Sequence, residues 1–342
     1  MSSSPSNMRP LRPGDVVVVK SAAEILATLD DQASVDCLPF MPEMAQYVGK
    51  RFTVSRRVDK ICDTIANTGS RRMYSTVYLE DLRCDGSGHA GCQGGCKLYW
   101  KDAWLRLVTN DAEPQPAAEG DGVAELERLA ETGARTTREF SGVPTEVWRC
   151  QATEAVKATE RLSGFDLRQY WRELTNGNYD AFKFLRVLAH AVVVQIASRL
   201  GLVNNLPIRG SATPLDRPPL GLKPGDLVEV RSPSEIAETL DEDGLSRGLS
   251  FDREMVSFCG KQFRVKDRVE RLVDDKTGRL LKINRDCIIL EGGVCSGENS
   301  ISCWFCPRQI YAYHRESWLR LVAPSSEPIS PSGQPGPGVS ES

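Results

Sequence analysis

The sequence is poor in histidine and has no excess of charge of either sign. Its 342 residues include three histidines, 43 lysines plus arginines and 46 aspartates plus glutamates, which gives a formal net charge of −3. Domains that bind a nucleic-acid backbone usually carry an excess of basic residues, so this composition disfavours a nucleic-acid partner. A mechanism that needs several imidazoles in one part of the chain is excluded by the histidine count.

The sequence also lacks the apolar segments expected of exported and membrane-spanning chains. Residues 1–7 are polar and contain no apolar core of the kind found in secretory signals. The most apolar stretch, residues 178–200, is interrupted by charged residues such as Lys183 and Arg186, whereas a membrane-spanning helix needs about 18 apolar residues. We therefore expect a cytoplasmic protein with no membrane partner, in which residues 178–200 form a buried helix. Docking of this helix onto a membrane or a protein partner is the alternative.

No phosphate-binding glycine loop or dinucleotide fingerprint is present. The glycine-rich residues 91–95 follow no strand-to-helix pattern, and cysteines flank them. What the chain does contain is eleven cysteines. In the reducing compartment that the N-terminus predicts, cysteines serve as metal ligands or reactive thiols more often than as disulfides.

An internal repeat is the most informative feature of the sequence. Residues 11–19 (LRPGDVVVV) recur as residues 222–230 (LKPGDLVEV), at an offset of 211 that holds for many later positions. Three extra residues then enter the second copy before the segment WLRLV, at 104–108, returns at 318–322. A repeat of this length indicates duplication of one structural unit.

Each copy has the pattern of a small, strand-rich unit. A Pro-Gly-Asp turn precedes alternating apolar residues, which is typical of a half-buried strand. A capping box, Ser21 with Glu24 and Ser232 with Glu235, predicts a short helix after that strand in both copies. We expect two duplicated, SH3-like β-barrel lobes flanking a central helical domain, which is an α+β fold class.

Shifts in composition along the chain predict its domain organisation. Between the lobes, helical periodicity extends over residues 123–132, 145–162, 166–174 and 178–200. The predicted order is a disordered tail (1–10), a Cys-rich β lobe A (11–109), a linker (110–122), a helical domain (123–200), a second linker (201–219), a Cys-rich β lobe B (220–323) and a disordered tail (324–342).

Each lobe carries a cysteine cluster. The candidate metal ligands are Cys62, Cys84, His89, Cys92 and Cys96 in lobe A and Cys259, Cys287, Cys295, Cys303 and Cys306 in lobe B. The cores of the clusters are C-x7-C-x3-C and C-x7-C-x2-C, so matching them in order places three thiols of each lobe at corresponding positions. Cys62 has no such counterpart, because the corresponding position of lobe B is about Val273. The two sites therefore need not be identical.

A tetrahedral metal site needs four donors. In lobe A we expect Cys62 to be the fourth, with His89 as its substitute, whereas in lobe B the fourth is Cys259 or Cys287, with His314 a more remote choice. Zinc is favoured because structural zinc commonly stabilises small lobes. An iron–sulfur cluster, which also uses four thiolates, is the alternative. Buried cysteines packed in a core without metal would explain the pattern as well.

Several segments carry a resemblance that covers most of residues 11–322. They are the Pro-Gly-Asp-x-Val turns, Leu38–Met44, Arg83–Gly86, Arg149–Glu154 and Phe305–Arg308. On these segments the chain resembles a family of bacterial proteins with two such lobes around a helical domain. The resemblance implies this architecture and no particular activity.

The expected function is that of a cytosolic metal-binding protein whose lobes present a binding surface to a protein or a small molecule. Divergence between the two clusters supports the alternative of an iron–sulfur or zinc metalloenzyme of a bacterial biosynthetic pathway. A nucleic-acid-binding module is the third interpretation. The sequence leaves open whether the protein is an enzyme and which residues would be catalytic.

Overall fold

The computed structural model of this protein describes residues 9–66, 68–108, 122–164, 166–203, 206–301 and 303–322. It is a mixed fold with 23% helix and 27% strand, so the predicted α+β class is confirmed. The predicted tail 324–342, and almost all of the tail 1–10 and of the linker 110–122, lie outside the described residues.

The described residues form short strands separated by a few helices. The helices are α1 (Ala22–Leu26), α2 (Val123–Gly133), α3 (Arg168–Thr175), α4 (Ala181–Arg199) and α5 (Pro233–Ala237). The strands are β1 (Val16–Val19), β2 (Ser34–Val35), β3 (Leu38–Pro39), β4 (Arg51–Arg57), β5 (Lys60–Cys62), β6 (Ser70–Arg72), β7 (Thr76–Arg83), β8 (Lys97–Lys101), β9 (Leu105–Leu107), β10 (Arg135–Phe140), β11 (Val143–Trp148), β12 (Glu160–Arg161), β13 (Leu227–Val230), β14 (Leu245–Ser246), β15 (Leu249–Ser250), β16 (Gln262–Arg268), β17 (Arg271–Val273), β18 (Leu280–Lys282), β19 (Ile288–Leu290) and β20 (Leu319–Leu321). Short 3-10 turns lie at Pro42–Tyr47, Ser87–His89, Asp102–Trp104, Met255–Phe258 and Glu316–Trp318.

Lobe A is built on a five-stranded sheet in the order β8-β7-β4-β1-β9. Strand β1 lies antiparallel to both of its neighbours, with Val17 opposite Leu107 on one side and Phe52 on the other. Val17 and Val19 alternate with more exposed neighbours and are fully buried, as the valine pattern predicts. Burial of this face against the large aromatic side chains of the lobe supplies its hydrophobic core.

Lobe B has a four-stranded sheet in the order β19-β16-β13-β20, which matches four of the five strands of the lobe A sheet and has no counterpart of β8. Val228 lies opposite Phe263 and Leu321, the positions that correspond to the partners of Val17 in lobe A. The capping boxes predicted at Ser21 and Ser232 are both formed, and each starts its short helix. The strand pairings of the repeat therefore recur in both lobes.

Two β-hairpins reach from one lobe to the other. The hairpin β5–β6 belongs to lobe A, yet the backbone N–H of Cys62 donates to the Sγ of Cys306 in lobe B at 3.3 Å. The hairpin β17–β18 does the reverse, since the N–H of Val273 donates to the Sγ of Cys92 in lobe A at 3.3 Å. Each lobe thus delivers one hairpin to the cysteine cluster of the other.

The segment between the lobes differs from the predicted helical domain. Residues 145–162, expected to be helical, form β11, a buried run of turns and β12. Ser141 and Gly142, with φ of 50° and 81°, close the hairpin β10–β11, because a two-residue turn with positive φ at both positions matches the twist of antiparallel strands. Helix α2 and the turns after β11 share the hydrophobic core of lobe A instead of forming a core of their own.

Helix α4 is also placed differently from the prediction. It packs one face, including Phe184 and Val187, against Phe305 in the cysteine-rich loop of lobe B. The opposite face is exposed, with Phe182 80% and Val193 64% accessible, so the expected buried helix is buried along one face only. Among the described residues, α4 is the helix whose length and apolar composition would allow it to cross a membrane. Of its most apolar 18-residue stretch, 22% is buried in the protein.

Candidate metal centres

Four thiols from both lobes line one cavity of about 470 Å³. They are Cys62 on β5 and Cys295, Cys303 and Cys306 on the loop after β19. The hairpin β5–β6 touches this loop twice, because the Cys62 N–H donates to Cys306 Sγ and the Ser70 hydroxyl donates to Cys303 Sγ, both at 3.3 Å. The fourth thiol, Cys295, accepts from the N–H of Ile310 at 3.3 Å. We call these four residues the cross-lobe thiol cluster.

The thiols of the cross-lobe cluster influence one another's ionisation. Hydrogen bonds from Cys303 and Cys306 hold the pKa of Cys62 well below its ordinary value. Hydrogen bonds to Cys303 and Cys62, together with burial, raise the pKa of Cys306. Burial and the neighbouring Cys62 raise the pKa of Cys295 to about 12. Cys62, Cys303 and Cys306 thus lie close enough to interact through their thiols, although no three thiols of the cluster bring all their Sγ atoms within 4.8 Å of one another.

Two buried cations accompany the cross-lobe cluster. The Arg308 guanidinium donates from Nη1 to the carbonyl oxygen of Cys62 at 3.2 Å and to Thr64 at 3.0 Å. Lys60 is 1% exposed, its amine has no hydrogen-bond partner and lies 4.6 Å from the ring centre of Tyr170 and near Cys303 and Cys306, and burial lowers the pKa of this amine. Four thiolates around a divalent ion carry a net charge of −2, which two adjacent cations would balance.

A second donor group lies in lobe A. Among the residues that the structure describes, Glu43, Cys84 and His89 bring their ligand atoms within 4.8 Å of one another. His89 Nε2 lies 3.5 Å from Cys84 Sγ, and Nδ1 faces Glu43 Oε1 at 3.9 Å. Zinc bonds of about 2.3 Å to sulfur and about 2.0 Å to nitrogen, at a tetrahedral angle, would separate these donors by about 3.5 Å. The spacing of Cys84 and His89 therefore fits a shared metal ion.

The polar atoms of this second group are buried without partners. Both carboxylate oxygens of Glu43 and the Nδ1 atom of His89 make no hydrogen bond. Burial raises the pKa of Glu43 and lowers that of His89 to about 4. Buried polar groups are normally satisfied, so such a set of unpaired donors and acceptors requires an explanation, and a bound ion is one.

The structure corrects the expected correspondence between the two clusters. The backbone N–H of Gly91 donates to Gly86 in lobe A, and that of Phe305 donates to Gly297 in lobe B. Gly86 and Gly297 are 211 positions apart, whereas Gly91 and Phe305 are 214 apart. The three inserted residues therefore lie between Gly297 and Phe305, and the offset is already 214 at Cys92 and Cys306. The contacts pair Cys84 with Cys295, Cys92 with Cys306 and Cys96 with Ile310, and the same offset of 214 counted back from Cys303 leads to His89. Only two thiols per lobe correspond, not three, and a histidine replaces the third.

Contacts outside the loop support the same correspondence. A Cβ at either Gly86 or Gly297 would overlap the backbone of the next matched cysteine, Cys92 or Cys306. Cys62 and Val273, which occupy matching positions on the exchanged hairpins, donate their N–H to those same two cysteines. The expectation that Cys62 completes the site of its own lobe is corrected, because β5–β6 carries it to lobe B.

The other candidate ligands lie elsewhere. Cys259 packs against the main hydrophobic cluster of lobe B, and Cys287 is buried with Ile289 and Tyr311. Neither lines the cavity of the cross-lobe cluster, so neither supplies its expected fourth donor. His314 is fully buried in the core of lobe B, where its Nδ1 donates to the carbonyl of Ala312 at 3.1 Å.

A cavity of about 350 Å³ lies between the lobes, next to the lobe A group. Cys84, His89 and Cys92 line it together with Val273 and the buried Arg308 of lobe B. Cys96 also borders this cavity, and burial raises the pKa of its thiol to about 11. The position of Cys96 corresponds to Ile310, which is why no thiol of lobe B matches it.

Two residues of these candidate sites were missed in the sequence. Glu43 recurs as Glu254 in the repeat, but a carboxylate outside the cysteine segment gave no metal-ligand spacing to detect. In lobe B the equivalent Glu254 accepts hydrogen bonds from Ser296 and Asn299, whereas Glu43 has none. Arg308 follows Cys306 by two positions in the sequence, and only the fold places it against Cys62.

Comparison of the chain with protein-family models, with curated proteins and with solved structures finds no match. The functional argument accordingly rests on the residues and their geometry.

Proposed function

We propose that this protein binds a metal ion at the cross-lobe thiol cluster, with zinc as the favoured metal. The observation that carries the proposal is the position of Cys62, which the exchanged hairpin β5–β6 brings against three cysteines of the other lobe. Four thiolates are a common ligand set of structural zinc. Arg308, and Lys60 when protonated, would offset the net charge of −2 of four thiolates around a divalent ion.

Metal bound there would link the two lobes. Cys62 comes from lobe A and the other three ligands from lobe B, so the metal bonds would hold together parts of the chain more than 230 residues apart, as Cys62 and Cys306 are separated by 244 positions. A structural zinc contributes its binding free energy directly to folding. We therefore assign the cross-lobe cluster a stabilising role.

The proposal includes the finer architecture and the location expected from the sequence. We propose that each lobe is an SH3-like barrel and that both descend from one duplicated unit, since the strand order and pairing positions recur. We propose a cytoplasmic location because all eleven cysteines are free thiols. The binding surface that the two lobes present to a protein or small molecule stays part of this proposal.

An iron–sulfur cluster is the alternative occupant of the same four thiols. Four cysteine ligands suit it equally, and the aromatic ring of Phe305 and the cation Lys60 lie beside the cluster. The two metals differ in colour. Zinc gives a colourless protein, whereas an iron–sulfur cluster absorbs broadly in the visible range.

Elemental analysis of protein purified without oxygen tests the proposal. We expect bound zinc, a colourless solution, and loss of one metal per chain in the Cys303→Ser variant. Cys37→Ser is the matched control, because Cys37 is exposed at the surface and its loss should leave the metal content unchanged. Protein that carries neither zinc nor iron, and whose stability is the same with and without a chelator, would contradict the proposal.

A further inference from the structure

We propose that the exposed face of helix α4 binds the surface of an anionic lipid membrane, with the helix axis parallel to that surface. The inference is independent of the proposed metal binding, because none of the candidate metal ligands lies on α4. Binding of this kind is peripheral and agrees with a cytoplasmic location. It replaces the expectation that the protein has no membrane partner.

The exposed face of α4 is a continuous apolar stripe. At 3.6 residues per turn, its side chains fall within an arc of about 100° around the helix axis, opposite the face that contains Phe184 and Val187. Each of these side chains is between 49% and 80% exposed. We call this set the outer stripe: Phe182, Leu185, Val192, Val193, Ile196 and Leu200. An apolar patch of this kind that stays exposed marks a surface that binds a partner or a membrane.

The charges beside the outer stripe are positive. Lys183 and Arg186 follow one edge of the stripe and Arg199 follows the other, as their positions around the helix axis show. Residues 181–215 contain four lysines and arginines and no aspartate or glutamate, although the whole chain has a net charge of −3. An apolar stripe with basic side chains along its edges is the pattern of helices that lie on anionic membranes.

Acidic side chains near the start of α4 do not cancel these charges. Asp180 is the N-cap, at a position around the axis opposite the outer stripe, and its carboxylate accepts from the Lys183 N–H at 2.9 Å. Glu298 of lobe B pairs with Lys183 Nζ at 3.5 Å and with Arg186 Nη2 at 2.9 Å. The side chains of these two cations are still 48% and 60% exposed, so one carboxylate shared between them leaves a positive edge.

The shape of the face suits a membrane surface. The outer stripe is a ridge about 27 Å long on a single helix, and a ridge enters the soft headgroup region of a bilayer, whereas a folded protein would need a matching groove. The opposite face of α4 is held by lobe B, where Phe184 stacks on Phe305 with ring centres 5.3 Å apart. A helix across the bilayer would lose that packing, so we infer that α4 lies on the membrane.

Other parts of this chain and a second copy of it fit the outer stripe less well. Residues 109–121 and 323–342 contain only two large aliphatic residues between them, too few to cover the outer stripe. In a symmetric pair of α4 helices the basic edges would face each other, and like charges at such an interface are unfavourable. An anionic surface avoids this repulsion.

Flotation of the full-length protein with lipid vesicles tests the inference. We expect binding to phosphatidylcholine vesicles that contain about 30% phosphatidylglycerol, and binding at least about 10-fold weaker to pure phosphatidylcholine. High salt should release the protein, because it screens the attraction to the headgroups. Equal binding to both kinds of vesicle, or binding that resists both high salt and alkaline carbonate, would overturn the proposal.

Val193→Asp tests the outer stripe itself. It should weaken binding to the anionic vesicles about 10-fold or more, because it places a charge in the middle of the stripe. Val143→Asp is the matched control, since Val143 in hairpin β10–β11 is 61% exposed, against 64% for Val193, and both variants add one negative charge. Both should keep the circular dichroism and the metal content of the wild type. Equal loss of binding in the two variants would refute the role of α4.

Three charge variants test the flanking cations. Arg199→Gln should weaken binding to the anionic vesicles about 5-fold, the effect of one basic side chain near an anionic surface. Arg51→Gln, at an exposed position of β4, removes the same charge elsewhere and should have no effect. Glu298→Gln should strengthen binding, because it releases Lys183 and Arg186 from their shared carboxylate, and a folding defect would not produce a gain. Equal effects of the two arginine variants would contradict the assignment.

Light scattering of the protein without lipid separates the other occupants of the face. We expect a monomer. A dimer that Val193→Asp converts to a monomer would assign the outer stripe to a second copy of the chain and overturn the proposal. A monomer that binds neither kind of vesicle would leave the stripe to a protein partner, which also overturns it. The proposed metal binding stands or falls separately from all of these results.

Discussion

At the scale of single residues, His314 is a buried base whose neutral form the fold requires. Its ring is fully buried beside Phe258 and Trp318, and burial lowers its pKa to about 4 from an ordinary value of 6.5. Between these two pH values the unfolded chain binds a proton that the folded chain does not. Stability therefore falls as the pH falls through this window.

We expect the substitution His314→Phe to remove part of the acid sensitivity of folding. The shift corresponds to roughly 3 kcal/mol between pH 6.5 and pH 4, so the urea midpoint of the variant should depend less on pH there than that of the wild type. The measurement is urea unfolding at a series of pH values. His190→Phe at the exposed His190 is the control, and equal pH slopes in all three proteins would refute the role of His314.

Gly297 is a second residue whose identity the fold requires. Its φ is +68°, and an added Cβ would overlap the backbone of Cys306. We expect Gly297→Ala to cost about 2 kcal/mol or more and to reduce the metal content of the cross-lobe cluster. Gly292→Ala is a matched control, because Gly292 has φ +70° with no atom near the added Cβ.

The comparison of the two glycines isolates the steric contribution. Both variants suffer the same backbone strain, and only Gly297→Ala displaces a ligand loop. Thermal unfolding and zinc content are the measurements. Equal losses in the two variants would show that the loop tolerates the added methyl group.

At the scale of elements, α4 has two apolar faces with different roles. Phe184 stacks on Phe305 with ring centres 5.3 Å apart, whereas Phe182, two residues earlier, is 80% exposed. The buried face thus packs on the loop that carries Cys303 and Cys306. A sequence pattern that is apolar on both faces could not distinguish these roles.

We expect Phe184→Ala to destabilise the protein by about 3 kcal/mol and Phe182→Ala to have an effect within about 0.5 kcal/mol. Chemical unfolding of the two variants provides the test, with each serving as the control for the other because the substitution is the same. A large loss for Phe182→Ala would mean that the exposed face is covered in solution.

At the scale of the whole molecule, the exchanged hairpins make the proposed cross-lobe metal site depend on both lobes together. We expect Cys62→Ser and Cys303→Ser each to lower the unfolding temperature, and the double variant to be no less stable than the worse single variant. Both changes break the same site, so their effects should not add. Addition of a chelator should then have little further effect on any of these variants.

The control for this comparison of single and double variants combines Cys62→Ser with Cys37→Ser. Their effects on the unfolding temperature should add, because Cys37 is exposed and belongs to neither cysteine cluster. Differential scanning calorimetry under reducing conditions gives the temperatures. Full additivity of Cys62→Ser and Cys303→Ser would show that the two thiols do not share a metal.

The sequence by itself determined the α+β class, the strand patterns and both capping boxes, and it named most of the candidate donors, since these follow from periodicities and spacings within a few residues of chain. The capping boxes at Ser21 and Ser232 are examples. The hairpin β10–β11 was missed because the apolar residues around it also fit a helical period, and the turn at Ser141 and Gly142 decided otherwise.

Only the tertiary structure decided which donors meet. Cys62 joins Cys306 across 244 residues, and Val273 faces Cys92 across 181, because each hairpin leaves its own sheet and packs on the other lobe. The correspondence between position 89 in lobe A and position 303 in lobe B likewise became visible only where the structure showed which loop holds the three inserted residues. Such partners are set by the packing of the two lobes, and local sequence carries no record of that packing.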